Sequence, residues 1–351
     1  MLLSFEMKFY TLLKIAGISK IPNWVKIMGV LSLLVLRKRV LAIYIDPTLS
    51  CNLKCKMCYF SDPLKRQEMH GVISKERINE VNKLFLPYAM KMQIGCGAEP
   101  TLYNNLEALI IAAKTAKVPY VSLTTNGQLI GSGRINLENL VKSGLDEITI
   151  SLHGTKRDVY EELMPGANFD NFLDLIEQLK RIRPLYPKFV IRVNYTINSL
   201  NLENLMDNNF FLIWEQHDVY PDIIQLRPVQ NMGNTDWNDF DLTPLKKLYD
   251  RTIGNTVKRA EKLGIKCLYP TPEALNLVNN EQDGVSSIIE DICYCYVSPD
   301  SLYKNDFDPI KDSFIKYHKR KKTIFTLLKV MITGAKSRKR NASKKLNYSI
   351  K

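Results

Sequence analysis

The chain has 351 residues, 45% of them apolar, enough for a real core in one large domain or two smaller ones. Its formal charge of +13 comes from 49 Lys and Arg against 36 Asp and Glu, and the whole excess sits at the end: residues 316–351 hold 13 basic and no acidic side chains. The body before them is formally neutral. This argues against a specific nucleic-acid groove, which would spread basic residues over the fold, and points to an interaction tail.

Seven cysteines suit a reducing compartment, where thiols stay available to metals. Lys8, Lys14 and Lys20 are spread at helical intervals rather than heading an apolar block, so no targeting segment is expected. The longest apolar stretch, residues 27–36, is about half of the ~20 residues a spanning helix needs. A cytoplasmic protein is expected, with peripheral membrane contact left open by the tail.

Residues 1–40 read as a helical extension. Phe5, Phe9, Leu12, Leu13 and Ala16 share one helical face, and Pro22 opens a second helix through residues 24–36, with Arg37, Lys38 and Arg39 at its C-terminal end. Strands and helices then alternate. Strands are expected over 41–46, 91–95, 120–125, 147–152, 189–197 and 223–227. Helices are expected over 74–88, capped by Ser74, and over 105–117, 137–143, 168–182, 202–216 and 243–263. Six β-α units predict an α/β fold: a parallel sheet with outer helices, curled by right-handed crossovers into an open partial (β/α)6 barrel of TIM type. The barrel would span 41–264, followed by a cysteine-bearing extension over 265–315 without clear period, and by the basic tail, 316–351. One apolar segment interrupts that tail, residues 323–333, flanked by basic clusters on both sides. It could lie on an anionic membrane surface, bind RNA nonspecifically or form a solvated helix.

In parallel barrels the active site lies at the C-terminal ends of the strands, and the unusual residues cluster there. Cys51, Cys55 and Cys58 follow the first strand. Gly95-Cys96-Gly97-Ala98-Glu99-Pro100 follows the second. Asn126 and Gly127 end the third, Ser151-Leu152-His153-Gly154 the fourth, Arg192 and Asn194 lie near the end of the fifth, and Arg227-Pro228 ends the sixth. Three thiolates on one short loop can hold three corners of an iron–sulfur cluster and leave the fourth iron open to a small molecule. A zinc site would need a fourth ligand, for which His70 is a candidate. Gly97 suits a tight strand-to-helix turn, with Pro100 holding it rigid. Cys96 reads as a buried apolar residue or as a redox-active neighbour.

Cys51-x3-Cys55-x2-Cys58, followed by the aromatic Tyr59, resembles the radical S-adenosylmethionine (radical SAM) superfamily. Gly97-Ala98-Glu99-Pro100 is similar to its Gly-Gly-Glu-Pro segment, with alanine in place of the second glycine. The resemblance covers roughly residues 41–230 and implies a [4Fe–4S] cluster on Cys51, Cys55 and Cys58, with S-adenosylmethionine on the open iron. Its reductive cleavage would give a 5′-deoxyadenosyl radical that abstracts hydrogen from a substrate. As cofactor contacts it implies Met57 near adenine, Gly97, Ala98 and Glu99 near the methionyl amino group, Asn126 and Ser151 at ribose or carboxylate, and Arg192 and Asn194 facing a carboxylate. Loop packing, capping or a structural hydrogen-bond network explains these residues equally well.

The resemblance extends to a SPASM or twitch-like subgroup with a reduced cysteine set, where Cys267, Cys293 and Cys295 would hold an auxiliary cluster or remain buried thiols. It implies a flavodoxin- or ferredoxin-like electron donor and a peptide or protein substrate. Cofactor, glycan or lipid-linked substrates stay open, as does a zinc- or cluster-binding interaction protein without catalysis.

Overall fold

The computed structural model describes residues 21–230, 237–276, 281–282, 284–335, 338–339 and 348–350. The amphipathic helix expected around Phe5–Ala16 lies outside the described residues.

The strands are β1 (Leu41–Ile45), β2 (Ala89–Ile94), β3 (Tyr120–Thr125), β4 (Glu147–Leu152), β5 (Val190–Ile197), β6 (Ile223–Pro228), β7 (Lys266–Pro270), β8 (Glu281–Gln282), β9 (Tyr294–Val297), β10 (Leu302–Tyr303), β11 (Arg338–Lys339) and β12 (Tyr348–Ile350). Ten of them form one sheet in the order β10-β9-β1-β2-β3-β4-β5-β6-β7-β12. From β9 through β7 every neighbour is parallel; β10 and β12 cap the two edges antiparallel and do not pair with each other, so the barrel is open.

All six expected strands are present, within two residues at either end. The region after residue 264 differs from its sequence reading. It supplies β7 beside β6 and β9 beside β1, extending the parallel sheet at both flanks instead of forming a separate extension. β9 is only four residues long, too short to show a period. Two expected helices are also broken. Residues 199–208 run as a 3-10 turn before the helix Asn209–Gln216, with left-handed Asn208 at the junction, and 243–263 divides at a π-turn, Asp250–Gly254.

The period of two sorts side chains between the sheet faces. One face carries residues such as Ile43, Ile45, Ile148, Ile150, Ile191 and Val193, all buried against the helical shell. Each contributes roughly 1.5–3 kcal/mol by leaving water. The opposite face, toward the interior, is polar: Gln93 on β2, Thr149 and Ser151 on β4, Arg192 and Asn194 on β5, Gln225 and Arg227 on β6. Register aligns them into layers, with Thr149 opposite Arg192, and Ser151 opposite Asn194, itself opposite Gln225.

The helix Asn23–Val35 starts after Pro22, as expected. Arg37 and Lys38 are exposed after its end, but Arg39 is drawn into the barrel base. Its guanidinium donates to the carbonyls of Leu86 (2.9 Å), Ala89 (2.9 Å) and Ala116 (2.7 Å), tying the helix to the entries of β2 and β3. The basic tail begins as packed structure: Phe314, Tyr317 and His318 of the helix Phe314–Arg320 are buried, as is Leu327 of the helix Thr323–Thr333.

Candidate active site at the strand ends

The cysteine loop leaves β1 through Asp46, whose carboxylate is buried because three elements converge on it. One oxygen accepts from the backbone amides of Cys96 (2.7 Å) and Gly97 (3.2 Å), and the other from the Tyr296 hydroxyl of β9 (2.9 Å). Burial pushes the Asp46 carboxyl up, and these donors pull it back. Asp46 thus fastens the turn after β2 to the end of β1, a role its strand-end position did not reveal.

The loop is held from outside by main-chain bonds. The amides of Lys54 and Lys56 donate to the carbonyls of Pro165 and Leu163, each at 3.0 Å, and the Cys58 amide to the Cys55 carbonyl at 2.9 Å. Arg66 clamps the carbonyls of Cys51 (2.9 Å) and Leu53 (3.0 Å). Met57 is buried in the apolar core that also contains Leu53. Loop packing accounts for this position.

Burial raises all three loop thiols, Cys51 to about 12, with neighbouring thiolates adding to the rise at Cys51 and Cys55. Three half-buried thiols on one short loop, held protonated by desolvation, are a donor set that suits a strongly cationic partner. Among the described residues no three His, Cys, Asp or Glu side chains form a cage for a single metal ion, as a zinc site would require. Each cysteine of a [4Fe–4S] cluster binds a separate iron, so its thiols need not converge on one point. The donor chemistry fits a cluster. His70, the candidate fourth zinc ligand, is exposed and bonded through Nδ1 to the Gln67 carbonyl (3.0 Å).

Glycine is required at two positions of the turn after β2. Gly95 has φ +83°, and a Cβ there would lie 2.4 Å from the Thr124 carbonyl. A Cβ on Gly97 would lie 2.5 Å from the Tyr59 hydroxyl, which donates to the Gly97 carbonyl. Ala98 is half-buried. Cys96, for which burial and a redox-active role were the two alternatives, is exposed. Its thiol is still raised well above the ordinary value, because protein surrounds it on most sides and Asp46 is close.

Glu99 and Asn126 are both engaged in hydrogen bonds within the fold. One Glu99 oxygen accepts from the Thr101 amide (3.1 Å), the Thr101 hydroxyl (2.5 Å) and the Thr125 hydroxyl (2.7 Å); the other accepts from the Asn126 amide (2.8 Å). Asn126 Nδ2 donates to Asn52 Oδ1 of the cysteine loop (2.8 Å), and its Oδ1 accepts from the Gln128 amide (3.0 Å). Through these bonds both residues brace the cysteine loop against the ends of β2 and β3. His153 is also structural: it is buried, neutral, lowered to about 4 by desolvation, and accepts from the Thr196 amide through Nδ1 (3.4 Å).

Ser151 and Asn194 remain available. They face each other across β4 and β5, and the Asn194 Oδ1 is buried without a hydrogen-bond partner. Arg192, one layer deeper, is buried and donates to Glu147 (2.9 Å), which also accepts from Tyr120 (2.5 Å). Lys91 is near enough to stabilise the same carboxylate. The structural-network reading therefore accounts for Arg192.

Cys267, Cys293 and Cys295 are not brought together. Cys267 on β7 is paired with Ile224, and Cys295 on β9 with Ile43. The six strands β1–β6 lie between β7 and β9, and both thiols are buried on the helix-facing side of the sheet, opposite the polar interior. Cys293 ends the helix Gly284–Cys293. Cys267 and Cys295 are core thiols, and Cys293 is half-buried.

The family profile described as Radical SAM superfamily matches residues 45–198, which span the chain from the end of β1 to the end of β5. A probable GTP 3′,8-cyclase of Sulfurisphaera tokodaii is 26% identical over 224 residues, 63% of this chain and 65% of that protein. One from Methanococcus maripaludis is 30% identical over 156 residues, 44% of this chain and 50% of its own. The chain thus spans about half to two-thirds of the curated relatives it matches. Among solved structures, Streptococcus suis SuiB bound to precursor peptide SuiA superposes with a TM-score of 0.56 at 17% identity, covering 82% of this chain and 64% of SuiB, a likeness of fold. The cysteine loop after β1 and its braced Gly97-Ala98-Glu99-Pro100 turn both lie within the residues, 45–198, that match the radical SAM superfamily profile.

Proposed function

We propose that this protein is a radical SAM enzyme that starts hydrogen abstraction on a substrate held inside the open barrel. When bound, the [4Fe–4S] cluster and S-adenosylmethionine supply methionine and a 5′-deoxyadenosyl radical through one-electron reduction. Cys51, Cys55 and Cys58 would hold the cluster. Asp46, Glu99 and Asn126 keep the turn and loop at fixed spacing, so the half-buried backbone at Gly97 would stay within a ligand's reach. Ser151 and Asn194 would orient the ligand's polar end from the strand ends, and the apolar shell keeps bulk water from the far side of the sheet. The electron comes from an external donor of flavodoxin or ferredoxin type. The observation that carries the reading is the half-buried thiol triplet at the C-terminal end of β1, within the residues that match the family profile.

A peptide or protein substrate is the first reading, supported by the fold shared with SuiB, whose structure holds a precursor peptide. A purine nucleotide is the second reading, favoured by the activity of the curated relatives and by the cation Arg227 on the interior face of β6.

Anaerobic reconstitution followed by incubation with S-adenosylmethionine and a strong reductant tests the reaction. Release of 5′-deoxyadenosine, lost on replacing the three loop cysteines with alanine, is expected. Zinc alone at the loop, or no nucleoside release, would reject it. Adding GTP or candidate peptides and following product mass then separates the two substrate readings.

A further inference from the structure

Two stretches of this chain lack acidic residues: none occurs between Glu6 and Asp46, and none after Asp312. They are far apart in sequence, yet the fold packs the helix Asn23–Val35 of the first against the helix Thr323–Thr333 of the second. Each of these helices is apolar on two adjacent stripes. One stripe is buried: Ile27, Val30, Leu31 and Leu34 on the first helix, Leu327 on the second. The other faces water. On the first helix Trp24 and Met28 stand at i and i+4, and Trp24 is 58% exposed. On the second, Ile324, Leu328 and Ile332 repeat every four residues with Phe325 beside them; Phe325 is 67% and Ile332 81% exposed. Exposed lysines border this surface at Lys322 and Lys329, and Arg37 and Lys38 follow the end of the first helix.

We infer that these two helices form one platform that docks on an anionic lipid surface. Large exposed apolar side chains on paired amphipathic helices, bordered by cations, match the interfacial layer of a bilayer: the apolar groups enter the acyl boundary while lysine and arginine stay among the headgroups. Neither helix can do more than lie on the membrane, because no described helix is long and apolar enough to cross one. A protein partner would satisfy the apolar side chains equally well, but it would not by itself account for two converging segments without a carboxylate. The inference does not depend on the proposed reaction, since the platform lies outside the sheet and its strand ends.

The test uses the full chain and vesicles of phosphatidylcholine with about 30% phosphatidylglycerol, a typical anionic content. Co-flotation is expected, falling at least tenfold on pure phosphatidylcholine and again as salt is raised. Trp24 fluorescence should shift to the blue and be quenched by brominated acyl chains, a response lost in Trp24→Phe. Phe325→Glu with Ile332→Glu should reduce binding at least tenfold without moving the thermal midpoint, because both side chains are exposed. Equal binding by wild type and this double variant overturns the inference. So does a concentration-dependent dimer in the absence of lipid that the same double variant abolishes, which would assign the face to a second copy of the chain.

Discussion

Asn52 of the cysteine loop and Asn126 at the end of β3 are joined side chain to side chain at 2.8 Å, across 74 residues of sequence. Because Asn126 is in turn held through its amide by Glu99, the loop bearing the three cysteines is positioned by a chain of neutral and charged hydrogen bonds running from β3 through β2. Removing the Asn52 acceptor leaves the buried Asn126 amide nitrogen without its partner, at a cost of about 1–3 kcal/mol. Asn52→Ala is therefore expected to lower iron retained per chain after reconstitution, while far-ultraviolet circular dichroism stays unchanged. Full iron loading in the variant would show that the loop needs no such brace.

Glu99→Gln places an amide NH2 where only acceptors serve, since every group facing the carboxylate is a donor. The variant is expected to lose about 1–3 kcal/mol of stability in a denaturant titration. Unchanged stability would mean that Glu99 is free to face a ligand instead.

Gly97→Ala puts a methyl group 2.5 Å from the Tyr59 hydroxyl. Reduced stability or weaker S-adenosylmethionine binding is expected, and adding Tyr59→Phe should restore part of it, because the Tyr59 Cζ atom lies at 3.8 Å. Gly95→Ala has no such remedy, as its clash is with the Thr124 backbone and its φ is positive. It should yield little soluble protein.

Asn194 and Arg192, two residues apart on β5, separate binding from stability. Asn194→Ala removes an acceptor that has no partner, so the thermal midpoint should hold while S-adenosylmethionine binding weakens by about tenfold, the value of one hydrogen bond to a charged group. Arg192→Ala strips a buried partner from Glu147 and should cost about 3–5 kcal/mol. A midpoint that falls in Asn194→Ala and not in Arg192→Ala would reverse the two assignments.

Two buried imidazoles set an acid limit. His153 and His318 are each lowered to about 4, desolvation being the largest cause, and His318 also lies between the Tyr303 and Thr323 hydroxyls, each 2.9 Å away. A histidine whose folded value is lowered is neutral in the fold but binds a proton once unfolded. Its contribution is whole above about 6.5 and declines as pH falls toward 4, by up to roughly 3 kcal/mol per residue. Denaturant midpoints between pH 7 and 4 should fall, with a smaller decline in His318→Gln. A slope unchanged in that variant would place the titration elsewhere.

The local pattern was enough for much of this molecule. Alternating strands and helices, Ser74 as a cap, and Cys51, Cys55 and Cys58 directly after β1 follow from side-chain period and spacing, which the chain carries residue by residue. Short elements were not legible in that way. β9 has four residues, so only its docking beside β1 makes it a strand, and that docking is what brings Tyr296 to Asp46 and turns Cys295 into the core. The same holds inside the site. Sequence alone placed Glu99, Asn126 and Arg192 at strand ends, where a ligand contact and a structural bond look alike. Tertiary structure separated them, because whether a polar side chain can serve a ligand depends on which other donors and acceptors, distant in sequence, have already satisfied it.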